Sequence, residues 1–212
     1  MPEPTPTPPS HYFDEKPVAP SAESTFVVRG PIRHLTLTSD RATFSHGSLD
    51  RGTKILLENI GDTTVLPDGD LLDLGCGVGP IALTLALRNP NRTIWAIDVN
   101  ERALALCERN ARDNSLDNVR VCHVDQLTLR SGPAQFAAIW SNPPIHVGKP
   151  ELHSMLLRWL VCLAPGGYSR LVVNKNLGSD SLQKWLEDEH YPTQRVLSRS
   201  GFRILQVSPR TI

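Results

Sequence analysis

A glycine-rich stretch in the first half of the chain has the residue types and the spacing of a ligand-binding turn. It reads DLGCGVGP, from Asp73 to Pro80, and it follows an apolar run that is typical of a buried parallel strand. Gly75, Gly77 and Gly79 can adopt backbone angles that are closed to other residues, and they carry no Cβ. A bound molecule could therefore lie directly against the main chain of this turn.

The residues of the turn discriminate between two kinds of cofactor. A dinucleotide-binding turn has glycine at its first, third and sixth positions and holds the pyrophosphate at a helix N-terminus. Here the sixth position is Pro80. The carboxylate of Asp73, two places before the first glycine, would repel a pyrophosphate, whereas it suits the ammonium group of an amino acid. The turn therefore favours a cofactor with an amino-acid portion and disfavours a dinucleotide-dependent oxidoreductase.

Polar side chains also stand at the ends of four predicted strands. These residues are Asp73, Asp98, Asp125 and Asn142. In an α/β sheet, ligands bind outside the carboxyl ends of the strands, where the strand order reverses. A single strand-terminal Asp is often a helix cap or a turn residue. Four such residues in register predict one shared crevice.

The alternation of strand and helix patterns predicts the elements that must position these groups. Predicted strands cover 25–28, 35–38, 71–74, 93–97, 119–124, 136–140, 168–173, 195–198 and 202–207, and predicted helices cover 49–57, 81–88, 101–114, 152–163 and 179–189. Ser48 or Asp50 could cap the first helix. This pattern predicts an α/β fold with a doubly wound, Rossmann-like sheet that is mostly parallel and has an antiparallel C-terminal strand.

Composition divides the chain and limits its class. We expect a disordered Pro- and Thr-rich tail over 1–10, a β/α lead-in over 11–60 packed on the core, and the main domain over 61–212. No apolar run reaches the roughly 20 residues of a membrane helix, and no signal-peptide pattern begins the chain, so we expect a soluble, cytoplasmic protein without membrane contact. The four cysteines lack the spacing of metal ligands, which predicts reduced thiols and no bound metal. The formal charge is +0 and therefore argues neither for nor against nucleic acid.

Taken together, these motifs resemble those of class I S-adenosylmethionine-dependent methyltransferases. Within that class the chain is similar to the branch that methylates guanine N2 in small-subunit ribosomal RNA. The glycine motif of that branch matches Asp73 to Pro80, and its amino-methylation motif matches SNPPIHVGK, from Ser141 to Lys149. The segments HYFDEKP at 11–17 and FSHGSLDRGT at 44–53 also resemble the lead-in of that branch. The resemblance covers almost the whole chain after the tail.

The resemblance implies S-adenosylmethionine as the cofactor, and the chemistry of the strand ends indicates how it would be held. Asp98 could accept both ribose hydroxyls, and Asp125 could accept the adenine amino hydrogens. Asp73 and the main chain of the turn would face the methionine portion. The predicted cofactor-binding residues are Asp73, Gly75, Cys76, Gly77, Gly79, Asp98, Val99, Asp125, Gln126 and Asn142.

The predicted catalytic residues are Asn142, Pro143 and Pro144. An exocyclic base amine is a poor nucleophile because its lone pair is delocalised into the ring. The side-chain oxygen of Asn142 and the backbone carbonyl of Pro143 could accept its two hydrogens and hold the nitrogen in line with the transferred methyl group. The prolines would stiffen the loop. The predicted substrate-binding residues are Ile145, His146 and Lys149.

Two further features bear on the substrate. Many enzymes with this motif carry an aromatic residue at the position of Ile145, and its absence disfavours adenine- or glutamine-directed enzymes while leaving the guanine branch open. Basic residues exceed acidic ones from Asn142 onward, which favours RNA, especially ribosomal RNA or a ribosomal subunit, as the partner. About 70 residues precede the glycine motif, so we expect the additional front domain of the larger ribosomal enzymes to be missing.

Several alternatives remain open at this point. RNA contact could depend on the lead-in or on a dimer, so the protein could be a monomer or a homodimer. The target could be another RNA or DNA base amine, or a protein glutamine. The chain could also be a non-catalytic RNA-binding protein that retains the fold, although the intact Asn142-Pro143-Pro144 sequence disfavours this reading.

Overall fold

The structure is a computed structural model that describes residues 21–30, 32–41, 43, 47–127 and 135–211. The predicted tail over 1–10, the HYFDEKP segment and the first three residues of the FSHGSLDRGT segment lie outside the described residues. Within the described ranges, none of the helices has the length and apolar character that crossing a bilayer requires.

The described elements alternate between strands and helices after a short hairpin. In chain order they are β1 (Glu23–Arg29), β2 (His34–Asp40), α1 (Arg51–Glu58), β3 (Asp70–Leu74), α2 (Pro80–Arg88), β4 (Ile94–Asp98), α3 (Glu101–Asp113), β5 (Val119–His123), β6 (Phe136–Ser141), α4 (Lys149–Leu160), β7 (Leu163–Asn174), α5 (Ser179–Asp188), β8 (Thr193–Arg199) and β9 (Phe202–Val207).

Seven of these strands form the central sheet, in the order β5-β4-β3-β6-β7-β9-β8. Strand β9 runs antiparallel to both of its neighbours, and the other strand pairs are parallel. The predicted doubly wound sheet with an antiparallel C-terminal strand is therefore confirmed. The chain builds outward from β3 in one direction and from β6 in the other, so the strand order reverses between β3 and β6. A ligand crevice is expected above their carboxyl ends.

Hydrophobic residues on both faces of the sheet hold the helices in place. One buried cluster joins the sheet to α1, α2 and α3, and a second joins it to α4 and α5. All six residues of β6 are buried, as expected for a central strand that is covered on both faces. The expected ligand crevice is therefore bordered by closely packed strands.

The hairpin of β1 and β2 packs against α3 and α2. Asn110 on α3 and Asn114, the C-cap residue of that helix, pair with the main chain of β2. Asn110 Oδ1 accepts from Thr38 N at 2.8 Å, and its Nδ2 donates to Thr38 O at 3.0 Å. Asn114 makes the same pair of contacts with Thr36, at 3.2 and 2.9 Å. The described part of the lead-in is thus attached to the core, while the boundary at residue 60 stays a prediction.

The one large difference from the predicted elements lies between α4 and β7. The helix predicted over 152–163 instead begins at Lys149 and ends at Leu160. It begins earlier than predicted because Pro150 is well suited to a first helical turn. The Pro165-Gly166-Gly167 sequence, which the pattern predicts as the stop of this helix, does not end it. It lies within β7, where Leu163 pairs with Phe136 but Tyr168 pairs with Ala138, so the intervening residues form a bulge.

Candidate active site

A cavity of about 1030 Å³ opens above the carboxyl ends of β3, β4 and β6. Its walls come from the glycine turn, the start of α1, the loop after β6, α4 and the start of β9. Ligand sites for drug-sized molecules occupy roughly 300–1,000 Å³. The cavity is therefore large enough for a nucleoside cofactor and a second planar group.

The three positions of the turn require glycine for different structural reasons. All three have positive φ angles, of 74° at Gly75, 54° at Gly77 and 92° at Gly79. A Cβ at Gly75 or Gly77 would meet nothing within 4 Å, whereas a Cβ at Gly79 would lie 2.6 Å from Cys107 Sγ on α3. The first two glycines leave main chain open to a ligand at the cavity, and the third lets the turn pack against a helix.

Asp98 lies at the end of β4, where it lines the cavity and also orders the glycine turn. Its Oδ2 accepts from Gly77 N at 2.8 Å, and its Oδ1 accepts from Asn100 N at 3.0 Å. Burial raises the pKa of Asp98, and the backbone hydrogen bonds oppose this shift. Each carboxylate oxygen retains a further lone pair, so the group can still accept hydroxyl hydrogens from a ligand. Val99, which is 39% exposed, lines the cavity beside it.

Asp73 is placed differently from the expectation. Its side chain is completely buried behind the turn and does not line the cavity. Its Oδ2 accepts from Ala82 N at 2.8 Å, and its Oδ1 has no hydrogen-bond partner among the described residues. The pKa of Asp73 is raised to about 8, mainly by burial; the hydrogen bond from Ala82 N opposes this shift, and the nearby charge of Asp98 adds to it. Direct pairing with a cofactor ammonium, as expected from the sequence, is not available to Asp73 in this conformation.

The two predicted cofactor-binding residues after β5 differ in their position relative to the cavity. Asp125 is exposed and lines the cavity, 3.4 Å from Arg158 Nη1 and 3.7 Å from His123 Nδ1. Gln126 lies outside the cavity lining, where its Oε1 is 3.4 Å from the donating His123 N. Gln126 therefore closes the turn after β5, and its contact with a cofactor stays a prediction.

Asn142 projects from the end of β6 toward the start of α1. The neighbouring Ser141 Oγ donates to Leu74 O at 2.6 Å and so ties the ends of β6 and β3 together. The Asn142 Nδ2 donates to Asp50 Oδ2 at 2.8 Å and to Thr53 Oγ1 at 3.0 Å. Both amide hydrogens are used in these contacts, so the side-chain oxygen remains as an acceptor at the cavity.

The loop after Asn142 presents the other predicted residues unequally. The carbonyl of Pro143 accepts from Ile145 N at 2.8 Å and keeps a second lone pair. Pro144, Ile145 and His146 line the cavity. Lys149 is an exposed residue at the first position of α4 and is not part of the lining, so its predicted contact with a substrate base or phosphate stays a prediction.

Sequence reasoning missed several residues that line the cavity. These are Phe26, Leu49, Asn174, Leu177 and Phe202. A Cβ on Gly52 of α1 would lie 2.9 Å from Phe202 Cε1, so this glycine allows the aromatic ring to approach the helix. Phe202 thereby supplies an aromatic surface that the sequence appeared to lack at Ile145. Asp50 and Thr53 belong to the lead-in motif, which is the signal that could identify them, but the sequence alone predicts Asp50 only as a helix cap.

Most arginines after Asn142 pair with groups of the protein itself. Several of these arginines make short contacts with acidic side chains or main-chain carbonyls: Arg158 with Asp125, Arg170 with Asn59, Arg195 with Asp180, Arg199 with Glu58, and Arg203 with Asp180. The excess of basic residues is therefore weaker support for RNA contact than the sequence indicated.

The strand order, the open glycine turn and the acidic group at the end of β4 define the protein as a class I S-adenosylmethionine-dependent methyltransferase. The sequence model of the methyltransferase small domain family matches residues 34–206, and the chain belongs to this family.

Its relatives include proteins with and without an assigned activity. The chain is 35% identical over 196 residues to the uncharacterized protein YbxB of Bacillus subtilis, covering 92% of this chain and 96% of that protein. It is 36% identical over 174 residues to ribosomal RNA small subunit methyltransferase C of Pseudomonas aeruginosa, covering 80% of this chain and 50% of that protein. It therefore spans about half the length of that enzyme.

A solved structure shows the same architecture with ligands bound. The 16S rRNA N2 methyltransferase of T. thermophilus, solved in complex with AdoMet and guanosine, superposes with a TM-score of 0.73 at 25% identity. The match covers 92% of this chain and 52% of that one. The cavity described above lies at the sheet edge where the fold class places its cofactor.

Proposed function

We propose that the protein methylates the exocyclic N2 of a guanine in small-subunit ribosomal RNA. The observation that carries this proposal is the orientation of Asn142, whose amide nitrogen is bonded to Asp50 and Thr53 while its oxygen is left for a target amine. S-adenosylmethionine, when bound, supplies a methyl group on a positively charged sulfur, which is open to attack by such an amine.

The residues present fit this cofactor. The open main chain at Gly75 and Gly77 would hold its methionine portion, since no side chain occupies that space. Asp98 would accept from the ribose hydroxyls, and Asp125 from the adenine amino group at the exposed side of the cavity. Asp73 would act indirectly, because it holds the start of α2 through Ala82 N and does not reach the cavity.

The loop after β6 would orient the target. The Asn142 oxygen and the free lone pair of the Pro143 carbonyl would accept the two hydrogens of the amine and so hold its nitrogen in a reactive position. A strong general base is not needed, because the methylated ammonium is acidic and can release its proton to water afterwards.

Other residues of the cavity lining support a purine target with a carbonyl group. Phe26, Leu49 and Phe202 offer apolar and aromatic surface for a flat ring. Asn174 also lines the cavity, with its Oδ1 accepting from Asn176 N at 2.9 Å, which leaves its amide NH₂ as a donor. This donor would pair with guanine O6, whereas adenine offers an amine at the equivalent position. The name of the Pseudomonas relative supports ribosomal RNA as the substrate, and the guanosine in the T. thermophilus structure supports guanine as the base.

The test is methyl transfer followed by identification of the modified nucleoside. The full chain is incubated with methyl-labelled cofactor and ribosomal subunits that lack the modification, and the RNA is digested to nucleosides. We expect label in N2-methylguanosine, at a rate that falls by roughly a hundredfold but stays measurable when Asn142→Ala replaces the wild type.

The other outcomes distinguish the alternatives. Label in N6-methyladenosine or in protein glutamine would refute the guanine assignment. Cofactor binding without any transfer would favour a non-catalytic RNA-binding protein.

A further inference from the structure

The amide group of Asn142 is held by the N-cap residue of α1 and by a residue in the first turn of that helix, both about ninety positions earlier in the chain. Its Nδ2 lies 2.8 Å from Asp50 Oδ2 and 3.0 Å from Thr53 Oγ1. Thr53 is buried, and both residues line the cavity beside Asn142. These contacts form a bridge between the lead-in and the loop that follows β6.

The chemistry of Asp50 decides which way the amide points. The oxygen and nitrogen ends of an Asn side chain are nearly the same size, so an isolated amide can turn either way. An ionised carboxylate has only acceptors, so it pairs with the nitrogen end and repels the oxygen end. With the nitrogen directed at Asp50, the oxygen of Asn142 is directed away from α1.

Asp50 itself has little freedom. The Oδ2 that contacts Asn142 also accepts from Thr53 N at 2.8 Å, as the N-cap of α1. A Cβ on Gly52 would lie 3.1 Å from the same oxygen, so any larger residue at position 52 would press on it. One oxygen therefore both begins the helix and holds the amide.

We propose that Asp50 and Thr53 are positioning residues for methyl transfer, which fix the Asn142 amide so that its oxygen faces the target amine. This inference rests on the proposed function for the role of that oxygen. Neither residue needs to touch the reacting atoms. Their effect passes through Asn142, and it makes the lead-in part of the catalytic machinery.

The first test separates positioning from helix capping. Asp50→Ser keeps an N-cap oxygen for α1, but its shorter side chain withdraws the acceptor from Asn142. Thr53→Val has a similar shape and removes the second acceptor. For each variant we expect kcat to fall about tenfold or more, with the KM for S-adenosylmethionine changed less than about twofold. Asp50→Asn keeps an acceptor oxygen at the cap position, and it should restore kcat to within about threefold of the wild type.

A double-mutant cycle tests whether the effect passes through Asn142. In the Asn142→Ala background, Asp50→Ser should cause no further loss of kcat, because the group that it positions is absent. Asp62→Ser is the matched control. Asp62 makes a similar local contact, accepting from Thr64 N at 2.9 Å, but it lies outside the cavity lining, so its replacement should leave kcat unchanged.

A measurement on the amide itself does not depend on the RNA substrate. The side-chain NH₂ signals of Asn142, identified by their loss in Asn142→Ala, are followed by NMR in the full chain. We expect slow hydrogen exchange in the wild type and exchange faster by about tenfold or more in Asp50→Ser.

Three results would overturn the inference: wild-type kcat in Asp50→Ser, an equal loss in the Asn142→Ala background, or unchanged amide exchange. If the wild type methylates no guanine while Asp50→Ser still loosens the amide, the proposed function fails and the positioning contact stands.

Discussion

Replacing Asp98 by Asn would test the cofactor site most directly. The substitution preserves the size of the side chain and removes its negative charge. Asp98 Oδ2 accepts from Gly77 N and Oδ1 accepts from Asn100 N, so both oxygens face donors. An Asn at this position has one acceptor and must turn its NH₂ group toward one of these two N–H groups.

The structure indicates that Asp98→Asn greatly lowers the affinity for S-adenosylmethionine and changes the stability of the free protein little. Two charged hydrogen bonds to ribose hydroxyls, at about 1.5 kcal/mol each, amount to roughly 3 kcal/mol, or about a 150-fold increase in Kd. The loss of one backbone contact destabilises the free protein by about 1 kcal/mol. This loss is offset because burial, which raises the pKa of Asp98, makes the ionised carboxylate costly in the free protein.

Isothermal titration calorimetry with S-adenosylmethionine, combined with thermal unfolding of the free protein, measures both quantities. Asp70→Asn is the matched control. Asp70 lies at the opposite end of β3, where its Oδ2 accepts from Trp95 Nε1 at 2.8 Å, and Asn can replace that acceptor. A Kd for Asp98→Asn within threefold of the control would refute the assignment of Asp98 to the ribose.

Four other substitutions probe the remaining parts of the site. Because the pKa of Asp73 is raised to about 8 in the folded protein, the stability that the protonated side chain contributes is fully present below about pH 4 and is lost as the pH rises through 8. Asp73→Asn, which stays neutral, should therefore exceed the wild type in unfolding free energy at pH 8.5 by on the order of 6 kcal/mol, with no difference near pH 4, as measured by urea unfolding at both pH values without cofactor. Gly79→Ala should lower the unfolding free energy by about 2–4 kcal/mol, because its Cβ would meet Cys107 Sγ at a positive φ, whereas Gly77→Ala should lose about 1 kcal/mol of stability and mainly weaken cofactor binding in calorimetry. Phe202→Ala should raise the KM for RNA by about tenfold while leaving the Kd for S-adenosylmethionine unchanged, and an unchanged KM would show that the ring does not stack on the target.

Much of the fold could be predicted from local patterns. The spacing of apolar residues identified the strands of the sheet and the helices that cover it, because a buried strand and an amphipathic helix each impose their own spacing on apolar residues. The first helix cap was also readable, since Asp50, one of its two predicted caps, accepts from Thr53 N at the start of α1. The exception was the Pro165-Gly166-Gly167 sequence, where the expected helix stop is a bulge within β7. Only pairing with β6 decides that outcome.

The sequence by itself determined which strand ends carry polar groups, and the tertiary structure decided which of these groups reach the cavity. Asp73 is the penultimate residue of β3, so its side chain turns to the face that α2 covers. Asp98 is the last residue of β4 and extends past the sheet edge. The contact of Asp50 with Asn142 joins residues about ninety positions apart. This contact depends on how α1 packs over the sheet, and the local spacing of residues in the sequence does not reveal that packing.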